Sequence, residues 1–375
     1  MKIQQVQSKR DMHLFLRFPW KVYAGDPLWV PPLLMAMKDK LNPKKNPFFE
    51  HAEGACFLAR RDGETVGRIM AIVDRNHNQA HRDKTGFFGL FECLDDLEAA
   101  KALVGAAADW VAARGMDTLR GPMNLNMNDE CAMLLDGFDA PPVIMMPYNP
   151  RYYLDLMAGC GMVKAKDLVA YRLDSDKAGT DRVKAALARL PSANDITFRN
   201  LAKATIVKDA LRVVEIYNRG WAKNWGFVPW TDAEMAHMAK DMAQFADMDL
   251  IILAEHKGQA VGIAFGMPDL NQILIKIKNG RLLPFGLFKL LTGRKKVNGV
   301  RALVFGVLPE YQHTGLAYLL YDKFAKAIMA KGHTWCELSW ELEDNQAILR
   351  FAASIGAQVY KKYRIYEKPI SAKGA

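Results

Sequence analysis

The run Val307-Leu308-Pro309-Glu310-Tyr311-Gln312-His313-Thr314-Gly315-Leu316-Ala317 lies where an apolar strand pattern gives way to a helical one. A helix entered from a strand has first amides without intrahelical partners, and these face the connecting turn. Together with the positive end of the helix dipole, they form a site for a phosphate or diphosphate. Gly315 lets such a ligand approach the backbone, because a side chain there would obstruct it. The plain alternative is an ordinary helix start.

A second chemistry resides in carboxylates near the end of the following strand: Glu337, Glu341, Glu343 and Asp344. On the alternating strand 334–340, Glu337 shares a face with Trp335 and Ser339. Glu341 stands at the strand's end, beside the crevice where ligands bind in such sheets. Glu341 and then Glu337 are the candidates for moving a proton. Glu343 and Asp344 read instead as complements to the dipole of the next helix, which Asp344 or Asn345 caps.

Other reactive residues point nowhere so specific. His77 and His81 have the i, i+4 spacing of two metal ligands, but the loop-like 75–79 offers no third, so no metal is expected. Five scattered cysteines (Cys56, Cys93, Cys131, Cys160, Cys336) form no C-x-x-C pair and suggest neither zinc nor a disulfide framework.

The net charge of +10 is concentrated. No acidic residue occurs between Asp269 and Glu310, whereas Lys276, Lys278, Arg281, Lys289, Arg294, Lys295, Lys296 and Arg301 all do. Within it, 276–296 (KIKNGRLLPFGLFKLLTGRKK) has an apolar body with basic ends, the pattern of a segment lying on an anionic membrane. A packed amphipathic helix with solvated lysines fits equally. Nucleic-acid binding would rest on charge alone, without a helix-turn-helix or RNA-binding signature, and is not expected.

The elements that must position these residues occur twice. In the first half, 55–59 and 66–73 form a hairpin about Arg61-Asp62-Gly63-Glu64, followed by strand 86–92, helix 97–114 ending at Gly115, and strand 116–120. In the second, hairpin 250–254 and 260–267 precedes strand 301–308, helix 316–330, strand 334–340, a helix from 345 to 355 and a last strand over 358–368. The expected fold is mixed α/β: two tandem domains, each a mixed, mostly antiparallel sheet flanked by helices around a central βαβ crossover. The expected division is 1–173, a linker region over 174–195, and 196–375. No apolar run reaches the length of a membrane span, and the polar start Met1-Lys2-Ile3-Gln4-Gln5 is unlike a secretion signal, so the cytoplasm is expected.

Gln312-x-x-Gly315-x-Ala317 after such a strand resembles the diphosphate-binding Q/R-x-x-G-x-G/A signature of the GNAT superfamily. The next landmark of that family, N-x-x-A-I-x-L-Y-x-x-x-G-F, is similar to 345–357 here, with Asn345, Phe351 and Gly356 in matching places. The likeness spans 250–368. It implies an acyl-CoA-dependent N-acyltransferase, moving an acetyl or longer group to an amine, with Val307, Leu308, Gln312, His313, Thr314, Gly315, Leu316, Ala317 and Asn345 at the CoA ester. An amine must be neutral to attack a thioester, hence the base at Glu341 or Glu337. Ala352 stands where many relatives carry the tyrosine that protonates the departing thiolate, and Ala357 where they have phenylalanine. Tyr363 and Tyr366 are candidate substitutes, or sheet packing.

The corresponding junction in the first half, Glu92-Cys93-Leu94-Asp95-Asp96, has no glycine and carries carboxylates that would repel a diphosphate. It reads as a GNAT-like domain without a cofactor site. Such pairs resemble N-myristoyltransferases and Fem-type aminoacyltransferases, whose second lobe supplies part of the acceptor site. By that likeness Asn124, Asn126, Asn128 and Glu130 (in GPMNLNMNDE), with Tyr148 and Asn149, are acceptor-binding candidates; turn geometry explains the asparagines equally well. The whole chain further resembles a bacterial tandem group through DPLWVPP, NPFFEHAE, GFFGLFE, YNPRYY and SWELEDN, some of whose members are linked to sphingolipid assembly as bacterial ceramide synthases. This implies a long-chain sphingoid amine as alternative acceptor, with the enzyme peripheral at the inner membrane face. Trp20, Trp29, Tyr217, Trp221, Trp225, Phe227 and Trp230 would then line an apolar site, or serve as core. An inactive module holding acyl-CoA or lipid is the third reading, favoured by Ala352.

Overall fold

The computed structural model describes residues 1–177, 183, 185, 187, 188 and 195–371. They divide into two compact units: Met1–Leu168 with Leu274–Lys289 and the chain from Lys361, and Val169–Ile273 with Leu290–Tyr360. The linker expected over 174–195 falls largely outside the described residues.

In the first unit, β1 (Lys2–Gln5), β2 (Ala52–Arg61), β3 (Glu64–Asp74) and β4 (Thr85–Cys93) are successively antiparallel. Asp62 (φ 51°) and Gly63 (φ 83°) both take the left-handed conformation that a tight hairpin between twisted strands requires. Helix Leu97–Ala112 then crosses over to β5 (Thr118–Gly121), parallel to β4. Its Ala99, Ala100, Leu103, Val104, Ala107, Ala108 and Val111 are buried, a stripe at helical spacing that packs on the sheet. β6 (Met133–Asp136) and β5 both pair antiparallel with β13 (Gln358–Pro369). β7 (Val163–Asp174) begins in this unit and ends in the other.

The second unit repeats the scheme. β8 (Ile196–Asn200), β9 (Ile251–His256), β10 (Gln259–Pro268) and β11 (Gly299–Val307) are antiparallel neighbours. Helix Leu316–Ala330 crosses to β12 (Trp335–Leu342), parallel to β11. Helix Gln346–Ser354 follows, and Gly356 (φ 88°) ends it. Helices Ile206–Gly220 and Asp232–Met242 also belong to the unit, the latter started by a capping box between Thr231 and Glu234.

Every element expected from the sequence is present, with ends shifted by a few residues. The 75–79 segment differs: it is helical (Arg75–His81), because Asp74 caps it by accepting from the Asn76 amide. His77 is buried there, its ring packed against Phe87 and His81 rather than solvated. Among the described residues, no helix is long and apolar enough to cross a membrane.

Candidate active site

β11 and β12 pair in parallel only from Gly299↔Trp335 to Ala302↔Leu338. β11 runs on to Val307 and β12 to Leu342 without pairing to each other, so the sheet forks. The cause is local. Between Phe265↔Val304 and Gly266↔Ala302 the register of β10 against β11 slips by one, leaving Leu303 as an extra residue. A bulge of this kind bends its strand and strengthens the local twist, while β10 and β11 stay paired as far as Gly262↔Val307.

The turn with the glycine lies directly beyond the fork. Gly315 caps helix Leu316–Ala330 in the left-handed conformation (φ 80°, ψ 1°), where most side chains would be strained. It offers no side chain to cap the helix. The Gln312 amide bonds to the Pro309 carbonyl (3.3 Å), that of Thr314 to Tyr311 (3.2 Å), and that of Leu316 reaches the Thr314 hydroxyl at 3.4 Å. Among the described residues, the amides of His313, Gly315 and Ala317 have no partner, so three donors stand open at the positive end of a long helix. Gln312, His313 and Thr314 are exposed, whereas Val307, Leu308 and Leu316 are buried and anchor the turn to the core. The nearby Glu310 carboxylate accepts through both oxygens from one guanidinium nitrogen of Arg219 (3.0 and 3.1 Å), which offsets its charge toward an anion.

On the opposite arm, Glu341 is partly buried near the end of β12. Burial pushes its carboxyl up to about 8, against the pull of the Arg301 guanidinium. Arg301 is itself buried and donates to the Ser339 hydroxyl (3.0 Å) and carbonyl (3.2 Å), while Ser339 donates to the fully buried Glu337. Glu337 thus lies within an ionic network beneath the arm. The sequence marks Arg301 only as one of a run of cations and gives it no place in the site; the available signal is a lone cation opening an otherwise apolar strand.

Asn345 caps helix Gln346–Ser354, accepting from the Ile348 amide at 3.4 Å. Ala352 is buried among Tyr171, Leu173, Tyr321, Leu338 and Ile355, so no hydroxyl enters from that position. Phe351 stacks on Phe305 of β11 (5.5 Å between centroids) and meets Tyr318 and Tyr321 edgewise or tilted. A cavity of about 240 Å³ is walled by Ala302 and Leu338, the last paired residues before the fork, and by Phe305, Tyr321, Ala325 and Phe351.

The remaining candidates lie in the first unit. Tyr363 is fully buried in β13 opposite Leu134, and Tyr366 is buried in the same strand. Asn126 accepts from the Asn128 amide in a turn, and Glu130 accepts from Asn124. Tyr148 donates to Asp26 (2.9 Å). Asn149 exchanges bonds with both backbone groups of Leu134 (2.6 and 3.3 Å). These bonds hold loop and strand in place. The aromatic residues form two groups, Trp20–Tyr23–Trp29 in this unit and Tyr217–Trp221–Phe227–Trp230 in the second.

A scan against protein-family models finds no match. The chain is 36% identical over 379 residues to the bacterial ceramide synthase of Caulobacter vibrioides, covering 99% of this chain and 98% of that protein. It is 34% identical over 371 residues to protein YghO of Escherichia coli, covering 97% and 94%. Among solved structures, the tandem GNAT protein from the clavulanic acid biosynthesis pathway superposes with a TM-score of 0.59 over 100% of this chain and 99% of that one, at 13% identity. The fold is that of a tandem GNAT protein, and the molecule is an N-acyltransferase of the GNAT type. It belongs to the family of the Caulobacter bacterial ceramide synthase.

Proposed function

We propose that this N-acyltransferase draws its acyl group from a CoA thioester laid across the Gly315 turn and the β11–β12 fork, and passes it to the amino group of a long-chain amine. The fork carries the reading, because it opens a strand edge immediately below three unpaired amides. The amides of His313, Gly315 and Ala317 would take the diphosphate, and the unpaired arm of β11 the pantetheine. The apolar cavity beside the fork supports an acyl group longer than acetyl.

In the reaction, the amine nitrogen attacks the thioester carbonyl carbon. The carbon–sulfur bond breaks, an amide forms, and CoA leaves as the thiol. The amine's proton passes to Glu341, whose raised proton affinity suits a base working near neutrality. Arg301, held by Ser339 and Glu337, keeps enough of the Glu341 carboxylate ionised to accept it. Ala352 supplies no proton to the leaving sulfur, so the proton that Glu341 takes from the amine is the one returned to the thiolate, directly or through solvent, and the step balances. The amphiphilic acceptor is supported by the name of the relative with near-complete coverage, a ceramide synthase.

The test is thiol release from acetyl-, octanoyl- and palmitoyl-CoA against short polyamines, amino sugars and sphingoid bases. Turnover with long acyl chains and sphingoid bases is expected. Release only with water-soluble amines would overturn the acceptor. Acyl-CoA binding by calorimetry without thiol release from any amine would make the chain a binding module.

A further inference from the structure

Twelve large hydrophobic residues are exposed among the described residues, and five of them fall within 283–291: Leu283 (71%), Phe285 (76%), Leu287 (39%), Phe288 (69%) and Leu291 (63%). Single exposed hydrophobics need no explanation, but a contiguous group does. Nor is this a loose loop. The Trp20 indole donates to the Lys278 carbonyl (2.6 Å), Arg17 to that of Asn279 (3.1 Å), and the Leu34 amide to that of Gly280 (3.0 Å). Ile277 is buried, and Lys289 reaches back to the Lys276 carbonyl. The base is fixed and Leu290 is buried, while helix Phe285–Gly293 presents Phe285, Leu287, Phe288 and Leu291 to solvent. Met35, next in sequence to the Leu34 that bonds Gly280, is also 66% exposed.

Exposed cations of the same unit flank it: Lys276, Lys278, Arg281 and Lys289. No carboxylate occurs between Asp269 and Glu310 to balance them. A second copy docked face to face would oppose like charges, since a two-fold contact sets the same patch against itself. An acidic surface with an apolar interior answers both features at once. We propose that 276–289 is a membrane-docking surface for anionic phospholipid, with Leu283, Phe285 and Phe288 entering the acyl boundary and the flanking cations at the headgroups. This surface stands independently of the acyl-transfer reading, since docking requires neither a CoA ester nor a lipid acceptor.

The full chain is sedimented with vesicles of phosphatidylcholine alone and of phosphatidylcholine with phosphatidylglycerol. It should bind the mixed vesicles, leave the neutral ones, and release as salt rises. The double substitution Phe285→Ser, Phe288→Ser should weaken binding by more than about tenfold. Lys278→Ala and Arg281→Ala should each weaken it about fivefold. All four side chains are exposed, and unchanged thermal melts would confirm intact folds. Wild-type protein left in the supernatant, or equal sedimentation of the double variant, would overturn the proposal. A solution dimer that the double variant converts to monomer would overturn it too, by showing a second copy on the patch.

Discussion

The two strand–helix–strand crossovers of this molecule start alike and finish differently. In both, the first parallel strand carries an extra residue: Leu303 in β11, and one near Leu90 (φ 48°) in β4, where Arg68↔Glu92 gives way to Met70↔Gly89. In the second unit the partner strand then departs. In the first, the chain leaving β5 stays against β4: the Met123 amide bonds to the Phe88 carbonyl (2.7 Å), and the Asn124 side chain accepts from the Leu90 amide (2.9 Å). The approach is so close that a Cβ on Gly89 would lie 1.8 Å from the Met123 carbonyl oxygen. The helix starts differ as well. Asp96 occupies its own helix mouth, accepting from Ala99 and pairing with Arg61, where Gly315 leaves amides open. A bulge alone therefore makes no binding cleft. The path of the neighbouring strand decides whether one opens.

The comparison predicts that only the second unit performs chemistry, and the largest effect should come from its carboxylate. Glu341→Gln should lower kcat by about 10²–10⁴ while leaving CoA-ester affinity unchanged. Because Glu341 is pushed up to about 8, it accepts a proton only as pH rises toward that value. Wild-type rate should climb about tenfold per pH unit below it and level off above. Loss of that limb in the variant is the expected outcome, and an unchanged profile would assign the base elsewhere.

Next in size is a transplant of the first unit's chemistry. Gly315→Asp would place a carboxylate at the open helix mouth, as at Asp96. Opposed like charges cost several kcal/mol, so affinity for CoA should fall by about a hundredfold or more in calorimetry. Aspartate tolerates the left-handed conformation better than most residues, so the melting curve should move little.

A smaller effect tests the filled cleft. Asn124→Ala leaves the buried Leu90 amide without its partner, a loss of about 1–3 kcal/mol. A fall of roughly 2–4 °C in Tm for each kcal/mol is expected, with CoA affinity unaltered. A changed affinity would mean that the first unit takes part in holding the CoA ester.

Much of this contrast is legible in the sequence, because it rests on local chemistry. The Gly315 turn, the carboxylates at Asp95-Asp96 and the strand–helix–strand order are all matters of residue type and spacing. The fork is not, since it depends on Leu303 lacking a partner in β10, a property of register between strands distant in sequence. The GPMNLNMNDE run shows the same limit. Its polarity is evident, but that Asn124 serves a bulged strand thirty-four positions earlier emerges only once β4 and the segment after β5 are folded together. Glu341 is marked by its place at a strand's end; the Arg301–Ser339–Glu337 network that tempers it requires the parallel pairing of Arg301 with Glu337.

The smallest expected effect separates two reasons for which the first unit is expected not to hold a CoA ester. Asp96→Gly removes the carboxylate and gives this helix the same cap residue that opens Leu316–Ala330. Glycine replaces aspartate as a cap at a loss of only a few tenths of a kcal/mol. The exposed Arg61–Asp96 pair is screened by solvent and adds little. Tm should therefore shift by only a few degrees. If the closed cleft is what excludes a CoA ester, the variant still binds one equivalent, all of it abolished by Gly315→Asp in the same chain. A second equivalent in calorimetry would mean that charge at the helix mouth was the whole barrier, and that the Met123–Asn124 segment yields to ligand.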